Sequence, residues 1–372
     1  MKKILFLIHD LGHGGAEKVL VNLVNNMDPS KFEITVMALF GGGVNEKFLV
    51  PHLHFRAVFP RMIPGNSHMM KLLTPKQWHK LCVKEHYDIE VSYLEGPSAR
   101  VISGCDDPDT KLVSWIHVEQ HSMQKLAASF RSEKEARDCY DRFDQTICVS
   151  EYVKDDFCSI LGFGKPCRVL YNTVESDIIL ELSRDDAQEL TGDGKIRLVA
   201  VGTLKESKGY DRMLRITKKL CDNGYPVHLY ILGEGPQKKD LEQYVQNNGL
   251  GNAVTFLGYN TNPYKFVSKC DLFICASFAE GFSTAATEAL IVGTPVCTVE
   301  VSGMKEMLGE NNEWGIVTEN NEEALYQGIK RLLDDPIHLA HYKEKAAQRG
   351  KMFSTENTVK TVEEMLLNVL EN

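Results

Sequence analysis

The stretch DLFICASFAEGFSTAATEALIVGTPVCT, residues 271–298, constrains the fold of this chain more than any other. Its apolar run Leu272 to Cys275 reads as a buried strand, followed by a small-residue loop and a helical pattern through Leu290. Gly293 and Pro295 close the helix, and a second apolar run begins at Val296. This is a β-loop-α-β unit, and its loop-to-helix junction is a natural place for phosphates and sugars. Backbone N–H groups at a helix start lack partners, and the helix dipole favours an anion there. Glu280 lies just before the helix and Glu288 eight residues later, a little over two turns, so both fall on roughly one side. Such carboxylates suit sugar or ribose hydroxyls, at about 1.5–3 kcal/mol per hydrogen bond to a charged group. A solvated helix Glu and a loop Glu with no ligand is the alternative.

A chain of 372 residues is long enough for two domains with a core each. The net charge of −9 argues against a general nucleic-acid binder. Residues 1–176 hold 21 Lys/Arg against 22 Asp/Glu, whereas residues 177–372 hold 21 against 29, and nine of the twelve His lie in the first part. The first half therefore suits an anionic partner better. The ten Cys form no C-x-x-C pair, ILFLI near the start is too short for a signal-peptide core, and no apolar run approaches the ~20 residues that span a bilayer. These features predict a cytoplasmic protein with reduced thiols, free to sit on a membrane surface.

In the first half, Lys3–Ile8 reads as a buried strand and a helix begins near Gly15, with HDLGHGG between them. The dinucleotide pattern G-x-G-x-x-G fails because Glu17 occupies the third glycine position, and no G-x-x-x-x-G-K occurs. What remains is either a tight turn or a loop whose Gly14 and Gly15 admit a ligand close to the backbone. After the strand Phe32–Phe40, residues 47–84 contain no Asp or Glu but carry Arg56, Arg61, Lys71 and Trp78 among other cations and large apolar residues. That mixture suits an anionic membrane or a lipid-linked phosphate, and equally a strand, loop and helix whose cations face solvent. Metal binding by His52 with His54, or by His117 with His121, has little support, because no third ligand is evident and the H-E-x-x-H order is absent. Strand-like runs at 88–93 and 111–116 place His117 at the carboxyl end of a strand, the ligand edge of a doubly wound sheet. Gln145–Ser150 is the next strand, with Ser150 capping a helix, and RVLYN at 168–172 follows. The polar segment 176–194 reads as the interdomain linker.

The second half opens with a strand at Ile196–Val201 and VGTLKESKGYDRML, which places Lys208 at the start of a helix. A helix end alone contributes only ~0.3–1 kcal/mol to anion binding, so this cation matters. Leu229–Leu232 runs into GEGP, with Lys238 where a third glycine would stand; VTFLGY at 254–259 is a further strand. SGMKEML, EWGIV, a helix from Pro336 and a last helix beginning near Ser354 or Thr355 complete the chain. Alternating strands and helices in both halves predict two doubly wound α/β domains.

EGFSTAATEAL followed by GTP, in order with GGAE, VGTLKESKG, ILGEGP and VTFLGY, resembles the E-x7-E signature and accompanying motifs of retaining glycosyltransferases of the GT-B fold, family 4. The resemblance implies two Rossmann-like domains facing each other across a cleft. Residues 1–176 would bind acceptor, 177–353 the nucleotide-sugar, and a C-terminal helix, 354–372, would cross back to the first domain. It implies that Lys208 and the amides of Gly281, Phe282 and Ser283 hold the donor diphosphate, with Gly15 against the phosphates. Glu280 would hold sugar hydroxyls, Glu288 the ribose, and His117 would position the sugar; catalysis would involve His117, Lys208 and Glu280. Gly233, Glu234, Gly258 and Tyr259 would bracket the nucleobase. The family usually has Arg where this chain has Thr203, so one of two phosphate cations is missing unless Lys205 stands in. The implied reaction moves a sugar from a nucleotide-sugar, foremost a UDP-sugar, to a glycan or lipid-linked acceptor in surface glycan synthesis. It proceeds with retention and without a metal or other cofactor. Arg56, Arg61, Lys71 and Trp78 would meet the acceptor or an anionic membrane on the inner face of the cell membrane. Thr203 also leaves open a weakly catalytic accessory subunit of a partner transferase, and the fold leaves open an epimerase or phosphorylase.

Overall fold

The computed structural model describes residues 1–63, 69–162, 166–190 and 194–371. Parts of the acid-free stretch and of the linker segment fall at 64–68 and 191–193, outside the described residues. The chain divides into two compact units, Met1–Val174 with Thr355–Asn372, and Glu175–Ser354.

The first unit is built on a seven-stranded sheet in the order β3-β2-β1-β4-β5-β6-β7. Its strands are β1 (Lys2–Ile8), β2 (Phe32–Phe40), β3 (His54–Phe59), β4 (Ile89–Ser92), β5 (Lys111–Ile116), β6 (Gln145–Cys148) and β7 (Cys167–Val169). Every pairing is parallel, and Ile4 lies between Ile34 of β2 and Ile89 of β4. Burial on both faces explains why β1 reads as an unbroken apolar run rather than an alternating one. Strand β3 begins inside the acid-free stretch. The helix Pro75–Cys82 follows it, opened by a capping box between Thr74 and Gln77. Ser150 caps the helix Glu151–Leu161 by accepting a bond from the amide of Val153, at 3.2 Å.

The last helix, Thr355–Glu371, belongs to this unit. It buries Val359, Val362, Met365, Leu366 and Val369. Its Glu363 carboxylate accepts bonds from the Asp28 amide at 2.7 Å and from Lys31 Nζ at 2.9 Å, tying it to the turn that leads into β2.

The second unit carries a six-stranded, wholly parallel sheet in the order β10-β9-β8-β11-β12-β13. The strands are β8 (Ile196–Val201), β9 (Val227–Leu232), β10 (Val254–Gly258), β11 (Leu272–Cys275), β12 (Val296–Val299) and β13 (Ile316–Thr318). Leu198, Leu214, Leu229, Ile231, Ile274, Val299 and Ile329 form the centre of its core. The sequence pattern set no bounds for several helices of this unit, among them these two. Ser176–Leu182 occupies the segment read as a linker and packs on the helix Thr284–Ile291, so that segment is part of the second unit. Glu322–Asp334 is capped by Asn321 and packs on β12. Each sheet reverses its strand order once, between β1 and β4 and between β8 and β11, and the carboxyl ends of those strands are where open α/β sheets bind ligands.

Candidate functional site

At the switch point of the second unit, two chain segments meet because a glycine allows it. The turn Glu206–Lys208 ends at Gly209, whose φ of +66° is left-handed, and the helix Tyr210–Asp222 begins there. A Cβ on Gly209 would sit 2.0 Å from the Ala276 carbonyl oxygen, so the helix start lies directly against the end of β11. The Phe278 amide donates to the Ser207 carbonyl at 2.8 Å across the same junction. Lys208 Nζ thereby stands 2.6 Å from Glu280 Oε1, and the Ser277 hydroxyl donates to that oxygen at 2.7 Å. The cation and the carboxylate, 72 positions apart, form one charge-assisted cluster.

Beyond Glu280 the chain enters the helix Thr284–Ile291, whose Ser283 hydroxyl accepts from the Ala286 amide at 3.4 Å. Phe282 is buried, its ring edge-on to Phe353 at 5.9 Å, so its side chain serves the core and only its backbone is left to face a ligand. A Cβ on Gly303 would sit 2.8 Å from the Gly281 carbonyl oxygen, which shows how closely the loop after β12 supports this turn. Glu288 is buried farther along the helix, where the Tyr264 hydroxyl donates to its Oε1 at 3.2 Å.

The ends of β8, β9 and β10 close the other side. The Gly202 amide donates to the Leu232 carbonyl at 2.9 Å, and the Gly233 amide to the Gly258 carbonyl at 2.8 Å. Gly233 has a φ of +141°, and a Cβ there would meet the Gly202 carbonyl oxygen at 1.9 Å. Glu234 is exposed and pairs with Lys238 at 2.7 Å, while Tyr259, at 65 % exposure, presents its ring to solvent. Thr203 and Lys205 are both exposed; Lys205 has no side-chain partner among the described residues.

In the first unit, Gly15 is exposed at the start of the helix Gly15–Asn26. Before it, Asp10 bonds His9 Nδ1 at 2.7 Å and accepts from the Gly12 amide at 2.8 Å; the His9 bond is the main reason its carboxyl is held below the usual range. Glu17 is pushed the other way by burial. At the end of β5, His117 is 7 % exposed and its Nε2 has no partner among the described residues. Burial lowers its pKa to about 3, so the ring is neutral at physiological pH. Its amide donates to Glu95 Oε2 at 3.1 Å, and Gln120 Nε2 approaches Glu95 Oε1 at 3.4 Å. Burial raises the Glu95 carboxyl pKa. His121 points outward with its Nδ1 3.7 Å from Asp156, so it does not pair with buried His117 around a common ion.

The acid-free stretch is acid-free in sequence but not in space. Arg56 donates to Glu85 at 3.1 Å and to the Tyr87 hydroxyl at 3.2 Å, and Lys76 and Lys80 lie 2.8 and 3.5 Å from Asp106. Trp78 corrects the sequence expectation of a surface role: it is 3 % exposed and its indole N–H donates to the Met70 carbonyl at 2.7 Å. The helical period puts it on the core face of Pro75–Cys82. Arg61 is exposed and Lys71 half-buried, and neither has an acidic partner among the described residues. Near them Met62 and Leu72, the latter 73 % exposed, present apolar surface.

One side-chain cluster escaped the sequence reading. His79 Nε2 lies 2.8 Å from Glu90 Oε2, with the Cys105 thiol beside them, all buried, and the three donor atoms could hold a metal ion. Burial lowers the His79 pKa, but hydrogen bonds with Cys105 and Glu90 overcome it and raise the value to about 9. The donors come from three separate elements, so no local spacing announces them. The pair satisfies itself as an imidazolium–carboxylate contact.

Comparison with known proteins agrees with this architecture. The family model described as Glycosyltransferase Family 4 matches residues 13–178, and that described as Glycosyl transferases group 1 matches residues 183–349. A Campylobacter jejuni relative is 28 % identical across 95 % of this chain and 96 % of its own length. It is named N-acetylgalactosamine-N,N'-diacetylbacillosaminyl-diphospho-undecaprenol 4-alpha-N-acetylgalactosaminyltransferase. A lipopolysaccharide core biosynthesis glycosyltransferase of Rhizobium meliloti is 25 % identical over 88 % of each chain. Among solved structures, Anabaena HepE in complex with UDP and glucose superposes with a TM-score of 0.79 at 20 % identity, covering 98 % of this chain and 99 % of that one. The sucrose-phosphate synthase of Thermosynechococcus elongatus also gives 0.79, at 17 % identity over the whole of both chains. With family models matching both units and two switch-point sheets of the same kind, the chain belongs to the group 1 glycosyltransferases of the GT-B fold.

Proposed function

We propose that this glycosyltransferase takes its sugar from a UDP-sugar, retains the anomeric configuration and needs no metal ion. The observation that carries the reading is the Lys208–Glu280–Ser277 cluster at the carboxyl edge of the second sheet, beside the start of the helix Thr284–Ile291. In this reading the diphosphate draws Lys208 toward itself, and Glu280, still held by Ser277, turns its free capacity to sugar hydroxyls. As the bond from the sugar to the phosphate oxygen breaks, negative charge grows on the leaving diphosphate, where the cation and helix start stabilise it. The acceptor hydroxyl attacks the same face and its proton passes to the departing phosphate oxygen. Glu288 takes the ribose, and His117 offers its neutral ring to the substrate. HepE is a GT-B protein solved with UDP and glucose, which supports the donor class.

The acceptor proposed is a glycan or a diphosphate-linked lipid in surface glycoconjugate synthesis, as the names of the Campylobacter and Rhizobium relatives favour. No helix among the described residues is long and apolar enough to cross a membrane. Arg61, Lys71, Met62 and Leu72 would bring the first unit to an anionic surface on the inner face of the cell membrane.

The test is nucleotide release from UDP-, GDP-, ADP- and CMP-sugars in EDTA, with Glu280→Ala as control. Slow release from a UDP-sugar that disappears in the variant is the expected result. Release that needs a divalent ion, or that Glu280→Ala leaves unchanged, would contradict the reading. A second reading, an accessory nucleotide-sugar-binding subunit, is favoured by the exposed Thr203 where the family has a cation; UDP binding with no release from any donor, even with membrane lipids added, would support it.

A further inference from the structure

Four residues after Lys208, the helix Tyr210–Asp222 carries a second cation that the donor site does not use directly. Arg212 is 3 % exposed. Its Nε donates to the Ala276 carbonyl at 2.7 Å, one terminal nitrogen to the Ser277 carbonyl at 2.9 Å and the other to Asn320 Oδ1 at 2.8 Å. The Phe278 ring lies across the guanidinium, 4.2 Å from its central carbon. Three of its five N–H donors are bonded, an aromatic ring covers one face and the residue is buried, so the group is not open to a phosphate. Arg212 therefore does not replace the cation missing at Thr203.

Its partners are instead the backbone of one turn. Ala276 and Ser277 are the first residues after β11, and Glu280 follows three positions beyond Ser277. The turn is held by the close approach of Gly209, by the Phe278–Ser207 bond and by Arg212, whose guanidinium in turn donates to Asn320. Ser277 connects the clamp to the site, since its carbonyl accepts from Arg212 and its hydroxyl donates to Glu280. The planar fork matters, because a lysine ammonium cannot meet two successive carbonyls and a side-chain amide in one plane.

We propose that Arg212 is a positioning residue for the transfer reaction: it fixes the 276–278 turn so that the Glu280 carboxylate keeps its place beside Lys208 when the diphosphate competes for that cation. The inference rests on the sugar-binding reading of Glu280. It assigns to Arg212 an effect on the sugar half of the donor and not on the nucleotide half.

The test is a double-mutant cycle on the full chain with Arg212→Lys, Glu280→Ala and the double variant, reading donor turnover together with affinity for UDP and for the UDP-sugar. Arg212→Lys is expected to lower turnover roughly tenfold and to erase the difference in affinity between UDP-sugar and UDP, leaving UDP itself within about twofold. The double variant is expected to be no worse than Glu280→Ala alone, because both changes remove one function. Multiplied losses in the double variant, or a fall in UDP affinity parallel to the fall in turnover, would overturn the inference while leaving the role of Glu280 standing. Unchanged turnover in Glu280→Ala alone would remove the role of Glu280 and the inference with it. Asn320→Ala frees only one arm of the clamp and gives the same reading if Arg212→Lys fails to fold: a smaller, equally sugar-selective loss is expected, and an additive one contradicts the proposal.

Discussion

His117 and His79 are both buried in the first unit and are driven to opposite protonation states, so stability should report on each at a different pH. Burial depresses the His117 pKa from 6.5 to about 3. The unfolded chain then binds the extra proton first as pH falls, and the stability due to this neutral ring, present above about 6.5, is lost on acidification toward 3. His79 is raised from 6.5 to about 9, so its contribution is complete below about 6.5 and is lost as pH rises through 9. Thermal melts from pH 4.5 to 9.5 are expected to show a shallower acid limb in His117→Gln and a shallower alkaline limb in His79→Gln. Parallel curves for wild type and either variant would contradict the assignment. Neither state could be read from the sequence. His117 was legible as a residue at a strand's carboxyl end, but its neutrality follows from the depth at which Tyr93 and Trp115 surround it, with ring centroids 4.9 and 6.5 Å away. Glu90 and Cys105, which set the state of His79, lie 11 and 26 positions from it.

At the level of elements, the strand-loop-helix segments were legible because parallel strands buried on both faces leave apolar runs, and helices start at recognisable caps. The bounds Phe32–Phe40, Lys111–Ile116, Ile196–Val201 and Leu272–Cys275 agree with the apolar runs as read. Helical pieces were legible in the segment read as a linker, but what the helix Ser176–Leu182 packs on, the E-x7-E helix more than a hundred positions away, was not. Arg212 was visible as a letter in KGYDRML, but its partners are carbonyls 64 and 65 positions away, which carry no sequence signal. Gly209 gives a direct test of the element junction. Gly209→Ala must accept a left-handed backbone and a 2.0 Å approach to the Ala276 carbonyl, whereas Gly249→Ala, with the same φ of +66°, meets nothing within 4 Å. Chemical denaturation is expected to show a loss of roughly 1–2 kcal/mol for Gly249→Ala, the backbone cost alone, and a clearly larger loss for Gly209→Ala with weakened UDP binding. Equal losses would mean that the junction can relax.

For the whole molecule, two separate units each carry their ligand edge at a strand-order reversal, and residues 355–371 return to complete the first. The acid-free run overstated the basic surface, since Glu85 and Asp106 return in space to neutralise Arg56, Lys76 and Lys80. Arg61 and Lys71, like Lys47 and Lys84, have no acidic partner among the described residues; Met62 and Leu72, next to the first two in sequence, are exposed, and each cation near an anionic bilayer contributes ~1 kcal/mol. Co-sedimentation with anionic vesicles at low salt is expected to fall when Arg61 and Lys71 are both changed to Glu, while UDP binding holds. Indifference of wild type to such vesicles would remove the membrane role. The most direct test of the central claim is calorimetric titration of UDP into the full chain in EDTA, comparing wild type with Lys208→Met. Binding without metal that weakens about tenfold or more in the variant is the expected result, as for loss of a charge-assisted phosphate contact. UDP binding that requires a divalent cation, or is the same without Lys208, would contradict a metal-independent diphosphate site at the start of the helix Tyr210–Asp222.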